Sequence, residues 1–333
     1  MFPVNTPASS KHDRPLRSVH FVRVLAVTVL VALLGSRPVA GQLFPSLEVV
    51  VKTGDPLPGG ATGTFNTFGA PVLNDHGEMA IRAQLSDTGV PGDGGLFRAN
   101  ADGVTQVIRF GDSLPGTAEP FQGLRGAFIN NAGHIAGEGG TNGPQDNMIL
   151  LFDAMDRPQI VAQVGDRPPV GSGTYVDFGT PFLNNMGQVA FSVSFVRFGS
   201  PNQGVFIGDA NGLTEIVRGG IHGNPAMNNS GQAIFRSILN DATLHYYDGA
   251  SLTQLAVQGD SIPGGNGTFG DFSRPSINDA GQAAILSTVR PPGGGSSVNG
   301  IFFFDPDSGL ADAVPRGSAA PDGNGTIDAF SVP

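Results

Sequence analysis

Cysteine and tryptophan are both absent from this 333-residue sequence. Without cysteine there is no disulfide scaffold, no thiolate metal ligand and no thiol nucleophile. Charge is scarce, at 14% of residues, and lysine nearly so: beyond residue 41 only Lys52 remains. The one extended apolar run, residues 24–35 (VLAVTVLVALLG), has 12 residues, too short to cross a bilayer comfortably. Helical periodicity is missing too, since no segment past residue 41 holds it over about 11 residues with a capping residue.

Turn-forming residues are abundant, with 50 Gly and 26 Pro. A chain so rich in them turns often. Apolar residues make up 39%, enough for a core and too many for a disordered chain.

The N-terminus carries Lys11, Arg14, Arg17 and Arg23, then the apolar run, then the small residues Val39-Ala40-Gly41. That order is the layout of a secretory signal peptide over residues 1–41, cleaved after Ala40 or Gly41. The expected location is exported: periplasmic, cell-surface or extracellular. No span is expected in the mature chain. Residues 1–41 hold five of the 18 basic and one of the 28 acidic residues, so 13 and 27 remain, a net charge of −14. Nucleic acid needs a basic footprint, and none is present. Anionic membrane surfaces are disfavoured for the same reason.

The chain repeats itself. Asn74-Asp-His-Gly77-Glu-Met-Ala80 returns as Asn130-Asn-Ala-Gly133-His-Ile-Ala136 and as Asn184-Asn-Met-Gly187-Gln-Val-Ala190-Phe191. Two further copies run from Asn228 through Gly231 to Phe235, and from Asn278 through Gly281 to Ile285. The spacings are 56, 54, 44 and 50 residues. Four copies carry Pro three residues before the Asn: Pro71, Pro181, Pro225 and Pro275. An aromatic or aliphatic run follows each copy and ends in an Asp/Asn/Gly turn. A loop of the type Gly-Asp-x-x-Pro-Gly, as at Gly54, Gly111 and Gly259, closes the unit. Each unit therefore reads as four short strands.

Asn at the first and Gly at the fourth position specify a type I turn followed by a left-handed residue. Asn74, Asn130, Asn184, Asn228 and Asn278, with Gly77, Gly133, Gly187, Gly231 and Gly281, are therefore structural hairpin residues. Four-stranded units of this length predict an all-β repeat domain over residues 42–333, with five units and a partial sixth. The expected architecture is β-propeller-like, with about five four-stranded antiparallel blades. An open stack of small sheets is the alternative. The expected core includes Leu73, Phe97, Phe152, Leu183, Phe206, Ile277 and Phe303 or its neighbours.

The signature seen in full at Asn184–Phe191 resembles that of the bacterial NxxGxxAF tandem-repeat proteins, a choice-of-anchor group of exported proteins. The likeness covers residues 47–333 in five in-register copies. Gly137 departs from it where Phe is expected, Ile234 replaces Ala, and Ile81 and Ile285 replace Phe. The resemblance implies a surface or envelope location and no particular activity.

No constellation of catalytic residues stands out. Six His are present without metal-ligand spacing, and His76 and His134 read as exposed turn residues. No nucleophile elbow, P-loop or dinucleotide fingerprint occurs. The turns Asp209-Ala-Asn211-Gly and Asp305-Pro-Asp307-Ser-Gly resemble fragments of calcium loops, because calcium takes oxygen ligands at alternating positions. They lack a downstream carboxylate, so hairpin turn is the simpler reading, with calcium as the one cofactor to test. Asp55, Asp112, Asp166 and Asp260 recur with every loop, as a turn residue does and a catalytic residue does not.

The expected function is an exported, non-catalytic module that binds a protein or a glycan. The alternative is a propeller-type polysaccharide hydrolase or lyase. Unrepeated charged residues at a channel mouth would favour the enzyme, and repeat residues alone would favour the module.

The two ends of the repeat are uneven. Residues 323–333 match 265–275 and stop before a sixth Asn. Leu47–Val51 reads like a fourth strand without its first three. Either that strand closes a ring against the last blade, or the sequence is a truncated copy of a longer one. The half-repeat favours truncation.

Overall fold

The computed structural model describes residues 49–314, apart from 143–146, 198–199, 210 and 239. The expected signal peptide and partial sixth unit lie outside the described residues. A compact unit begins at Val51. It is all-β and β-propeller-like, with five antiparallel sheets; the one helical turn is a 3-10 turn at Pro58–Gly60.

Blade 3 shows the plan. Its first strand comes in two pieces, Thr174–Phe178 and Phe182–Leu183, both paired with Val189–Arg197. Ser200–Asp209 and Gly212–Arg218 then add in sequence order. Blades 1, 2, 4 and 5 repeat this order over residues 64–109, 121–163, 221–257 and 268–314. Pro71, Pro181, Pro225 and Pro275 sit in the break between the two pieces, where a missing N–H costs no ladder bond. In every blade the third and fourth strands slip by one residue, for example between Val205 and Phe206. Such bulges increase local twist.

The hairpins form as the pattern predicts. Gly187 N–H donates to the Asn184 carbonyl at 3.2 Å, closing the type I turn. The five glycines stand at φ between 76 and 80°, where a β-carbon is penalised.

Each blade has a forward face toward the next unit and a rear face toward the previous one. Ala136, Ile149 and Leu151 on the forward face of blade 2 cluster with Tyr175, Phe191 and Phe206 of blade 3. Ile234, Leu244 and Tyr246 of blade 4 likewise cluster with Ile285, Phe302 and Phe304 of blade 5. Phe206 is fully buried, worth about 2–3 kcal/mol in apolar burial. Gly137 marks a local repacking. Its β-carbon would fall 2.7 Å from Leu124, whose side chain reaches over the position that Phe191 fills in blade 3.

Leu73, an expected core residue, is not buried, and at the last aromatic position the neighbours of Phe303 are buried in its place. Leu73 is 50% exposed and Phe303 38%, although Phe302 and Phe304 beside it are buried. Ile277 is half-buried. Leu73 occupies the position of Met227, which is covered by Ala190 and Ile207 of the preceding blade. Among the described residues no blade precedes the first. Phe303 lies on the forward face of blade 5, the last described blade. The expected strand at Leu47–Val51 is absent over its described part, residues 49–51. A fourth strand needs a third to pair with, and none precedes it among the described residues.

Candidate functional site

The hairpins of all five blades converge on a cavity of about 290 Å³, lined by Asn74, Asn130, Asn184 and Asn228 and, in blade 5, by Ile277 and Asp279. Asn184 shows how they are held. Its Oδ1 accepts from the Met186 and Gln188 amides at 3.1 and 2.9 Å. Its Nδ2 donates to Gln188 Oε1 and, across the seam, to the Asn228 carbonyl at 3.0 Å. The same cross-seam bond runs from Asn74 to Asn130, from Asn130 to Asn184 and from Asn228 to Asn278. A second row lies beside it, with Asp75, Asn131, Asn185 and Asn229 amides each donating to the side chain one blade ahead. Asn74, Asn130, Asn184 and Asn228 are at most 6% exposed, whereas Asn278 is exposed. Every residue around this cavity is a repeat residue whose polar atoms serve the ladder.

His134 departs from its expected place as a free turn residue. It stands where Glu78, Gln188, Gln232 and Gln282 stand in the other blades, with Nδ1 3.2 Å from Asn130 Nδ2. The signal for this was its position directly after the invariant turn Gly. His76 is exposed, as expected.

The calcium candidates fall on two separate turns, in blades 3 and 5. Asp209 Oδ1 accepts from the Asn211 amide at 2.7 Å. Asp305 Oδ1 accepts from the Asp307 amide at 2.9 Å, and its Oδ2 from Gln282 Nε2 at 2.8 Å. The Gln282 bond, aided by the turn amides, holds the Asp305 carboxyl below its ordinary range. No group of three or more potential ligands occurs among the described residues. The loop aspartates Asp55, Asp112, Asp166 and Asp260 each accept from the amide three residues back. That is a turn-closing role.

The unrepeated chemistry lies elsewhere, at the seam of blades 1 and 2. Two adjoining cavities of about 220 and 310 Å³ share Phe110 and Leu124. Phe110 follows the last strand of blade 1, and its amide donates to the Gly94 carbonyl at 2.8 Å. The neighbouring Arg109–Asp93 ion pair, at 2.5 Å, pins this strand end. Burial alone would raise the Asp93 carboxyl, but hydrogen bonds from Arg109 and Thr88 prevail and hold it below its ordinary value. The Phe110 ring meets Phe121 edge-on at 5.9 Å. Its edge passes Gly94, where a β-carbon would crowd it at 3.0 Å, and Gly123, where one would only touch it at 3.7 Å. Phe110 itself is half-buried.

Polar groups surround this ring. Arg82 and Gln84 line one cavity, and Gln122, Arg125 and Asn147 the other. Arg82 donates to the Leu124 carbonyl at 3.1 Å, and Arg125 pairs with Glu138 at 3.1 Å. Asn147 is fixed by Asp177 of blade 3 at 2.8 Å. Among the described residues no carboxylate lines either cavity. The other units have Val164, Arg218 and Gln258 in the place of Phe110, so no other interior seam repeats this groove. The search for recurring motifs passed over it, because the relevant signal is departure from the repeat.

A family of unknown function, DUF7453, matches residues 45–222 and 220–325. The chain belongs to that family. No curated protein matches this DUF7453 chain. Among solved structures it is similar to an oligogalacturonate lyase in complex with manganese, at 12% identity and a TM-score of 0.43, covering 78% of this chain and 76% of that one. A Xanthomonas campestris gluconolactonase is 15% identical with a TM-score of 0.34, covering 81% and 79%. Porphyromonas gingivalis dipeptidyl peptidase 4 is 11% identical with a TM-score of 0.42; the match covers 82% of this chain but 46% of the peptidase. These are distant likenesses of fold.

Proposed function

We propose that this DUF7453 chain is an exported, non-catalytic binding module, and that its ligand is a glycan seated in the groove of blades 1 and 2. The observation that carries the reading is the groove around Phe110. It is the unrepeated concavity where an aromatic ring, side-chain amides and two guanidinium groups meet. Aromatic rings pack on the apolar faces of sugars, while planar amides and guanidinium groups bond their hydroxyls and carboxylates. Arg82 and Arg125, with no carboxylate among the described lining residues, favour an acidic sugar. Glycoside hydrolysis ordinarily needs a pair of carboxylates across the bond. The carboxylates bonded to lining residues are already engaged, Glu138 by Arg125 and Asp177 by Asn147. The signal-peptide layout and the NxxGxxAF likeness support export to the envelope or surface.

A glycan array of the chain, with and without calcium, tests this reading, followed by calorimetry with neutral and uronate-containing oligosaccharides. Binding that Phe110→Ala abolishes without lowering Tm is the expected result. Release of new reducing or unsaturated sugar ends would favour the polysaccharide hydrolase or lyase. Binding to protein baits alone would move the ligand class to protein.

A further inference from the structure

We propose that the uncovered forward face of blade 5 is a docking surface for residues 317–333 of the same chain. The argument starts from what covers the equivalent face of blade 4. Residues 259–275 run across the seam there, and Phe269 and Phe272 join the cluster of Ala242, Leu244 and Ala256. This arm is tied down by three backbone bonds: Gly259 N–H to Phe269 O, Phe269 N–H to Asp260 O, and Asp260 N–H to Val257 O, at 2.8, 2.8 and 3.0 Å. Phe121 covers blade 1 in the same way, and Tyr175 with Phe178 covers blade 2.

Blade 5 presents that face bare. Ala284 is exposed and Phe303 is 38% exposed, whereas the corresponding Ile234 and Tyr246 of blade 4 are 0% and 5% exposed. Beside them lies a mostly apolar cleft of about 510 Å³, lined by Pro275, Ile277, Ala284, Leu286 and Ile301. The hairpin is incomplete in the same direction. Among the described residues Asn278 Nδ2 bonds Gln282 alone, while the other four reach forward to a carbonyl.

The occupant is specified by sequence. Residues 317–333 repeat 259–275 position by position. Gly317 corresponds to Gly259 and Pro321 to Pro263, and Gly323-Asn-Gly-Thr326 is identical to Gly265-Asn-Gly-Thr268. Ile327 stands for Phe269, Phe330 for Phe272 and Pro333 for Pro275. These residues lie outside the described part of the chain. Ser318 replaces Asp260 and retains an oxygen that can accept the turn amide. An arm with the apolar residues and turn of the blade 4 cover thus belongs to the chain whose last described blade lacks one.

The absence of native cysteine makes the test clean. In blades 4 and 5 the strands Ala242–Tyr247 and Thr268–Phe272 touch, so the matching pair is Ile301 with Ile327. In the full chain, Ile301→Cys with Ile327→Cys should form a disulfide within one molecule under mild oxidation. Separately, Phe330→Ala should speed amide exchange in Ala283–Arg290 and Val298–Asp305 at least tenfold, with blades 1–3 unchanged. Disulfides between molecules would overturn the proposal and give the face to a second copy. Unchanged exchange in the Phe330→Ala protein would also overturn it.

Discussion

Blades 4 and 5 carry the same forward face in the same register, in different surroundings. In blade 4, Ile234, Leu244 and Tyr246 are covered by the phenylalanines of the next unit. In blade 5, Ala284, Ile301 and Phe303 keep the apolar chemistry, and no described residue covers them to the same extent. A core position in such an array is thus completed by its neighbour. The same holds at the other end, in mirror image: among the described residues Leu73 has no preceding blade, as Phe303 has no following one.

The comparison breaks first, and hardest, at the aromatic residues. Phe206→Ala should cost about 3–5 kcal/mol, since the ring is fully buried between blades 2 and 3. Phe303→Ala should cost about 1 kcal/mol if the ring stays 38% exposed, and nearer the Phe206 figure if residues 317–333 cover it as proposed. Urea unfolding of the two variants measures the difference. Equal losses would mean that the face of blade 5 is as well covered as the others.

The seam between blades 3 and 4 should respond to pH, and the bare face should not. His222 and His245 flank the Phe235 ring at 5.9 and 5.4 Å. Burial outweighs the one backbone group, at Gly219, that favours the charged His222 ring and pushes its pKa from 6.5 down to about 4. Burial lowers His245 as well. Above pH 6.5 His222 is neutral folded or unfolded, and pH has no effect through it. Between pH 6.5 and 4 the unfolded chain takes up the proton and the folded chain does not, so stability falls as pH falls. The loss from His222 should approach about 3 kcal/mol near the lower end and level off below it. Urea midpoints at pH 7.5 and 4.5, in the wild type and in His222→Phe, measure it. A slope that survives His222→Phe would assign the effect to other groups.

The smallest contrast lies in the ladder. Asn184→Ala removes a buried carboxamide and leaves the Asn228 carbonyl without its cross-seam donor, at a cost of about 2–3 kcal/mol. Asn278→Ala removes only bonds within its own exposed hairpin, and about 1 kcal/mol should suffice. Thermal unfolding of the pair should separate them by several degrees.

Much of this fold is legible in the sequence because its turns are chemical. Asn184 and Gly187 announce a type I turn wherever they fall, since the carboxamide and the positive φ are local requirements. Pro181 marks the break in the first strand for an equally local reason. Burial is not local, and so Leu73 and Phe303 look in sequence like Leu183 and Phe206. The groove is harder still. Phe110, Gln122 and Arg125 follow no repeat, and their convergence depends on how one blade leans on the next.

The bonds from the hairpin asparagines to the neighbouring backbone all point one way, each of these carboxamides reaching toward the unit made after it. A chain that leaves the ribosome N-terminus first therefore always ends in one finished hairpin with an idle donor and one naked sheet. Only the segment synthesised next is at hand to meet both. Assembly becomes a vectorial process, in which order of synthesis selects among near-identical partners that affinity alone could not tell apart. The same polarity lets a unit be duplicated or lost without new chemistry at the join, because every joint uses the same bond.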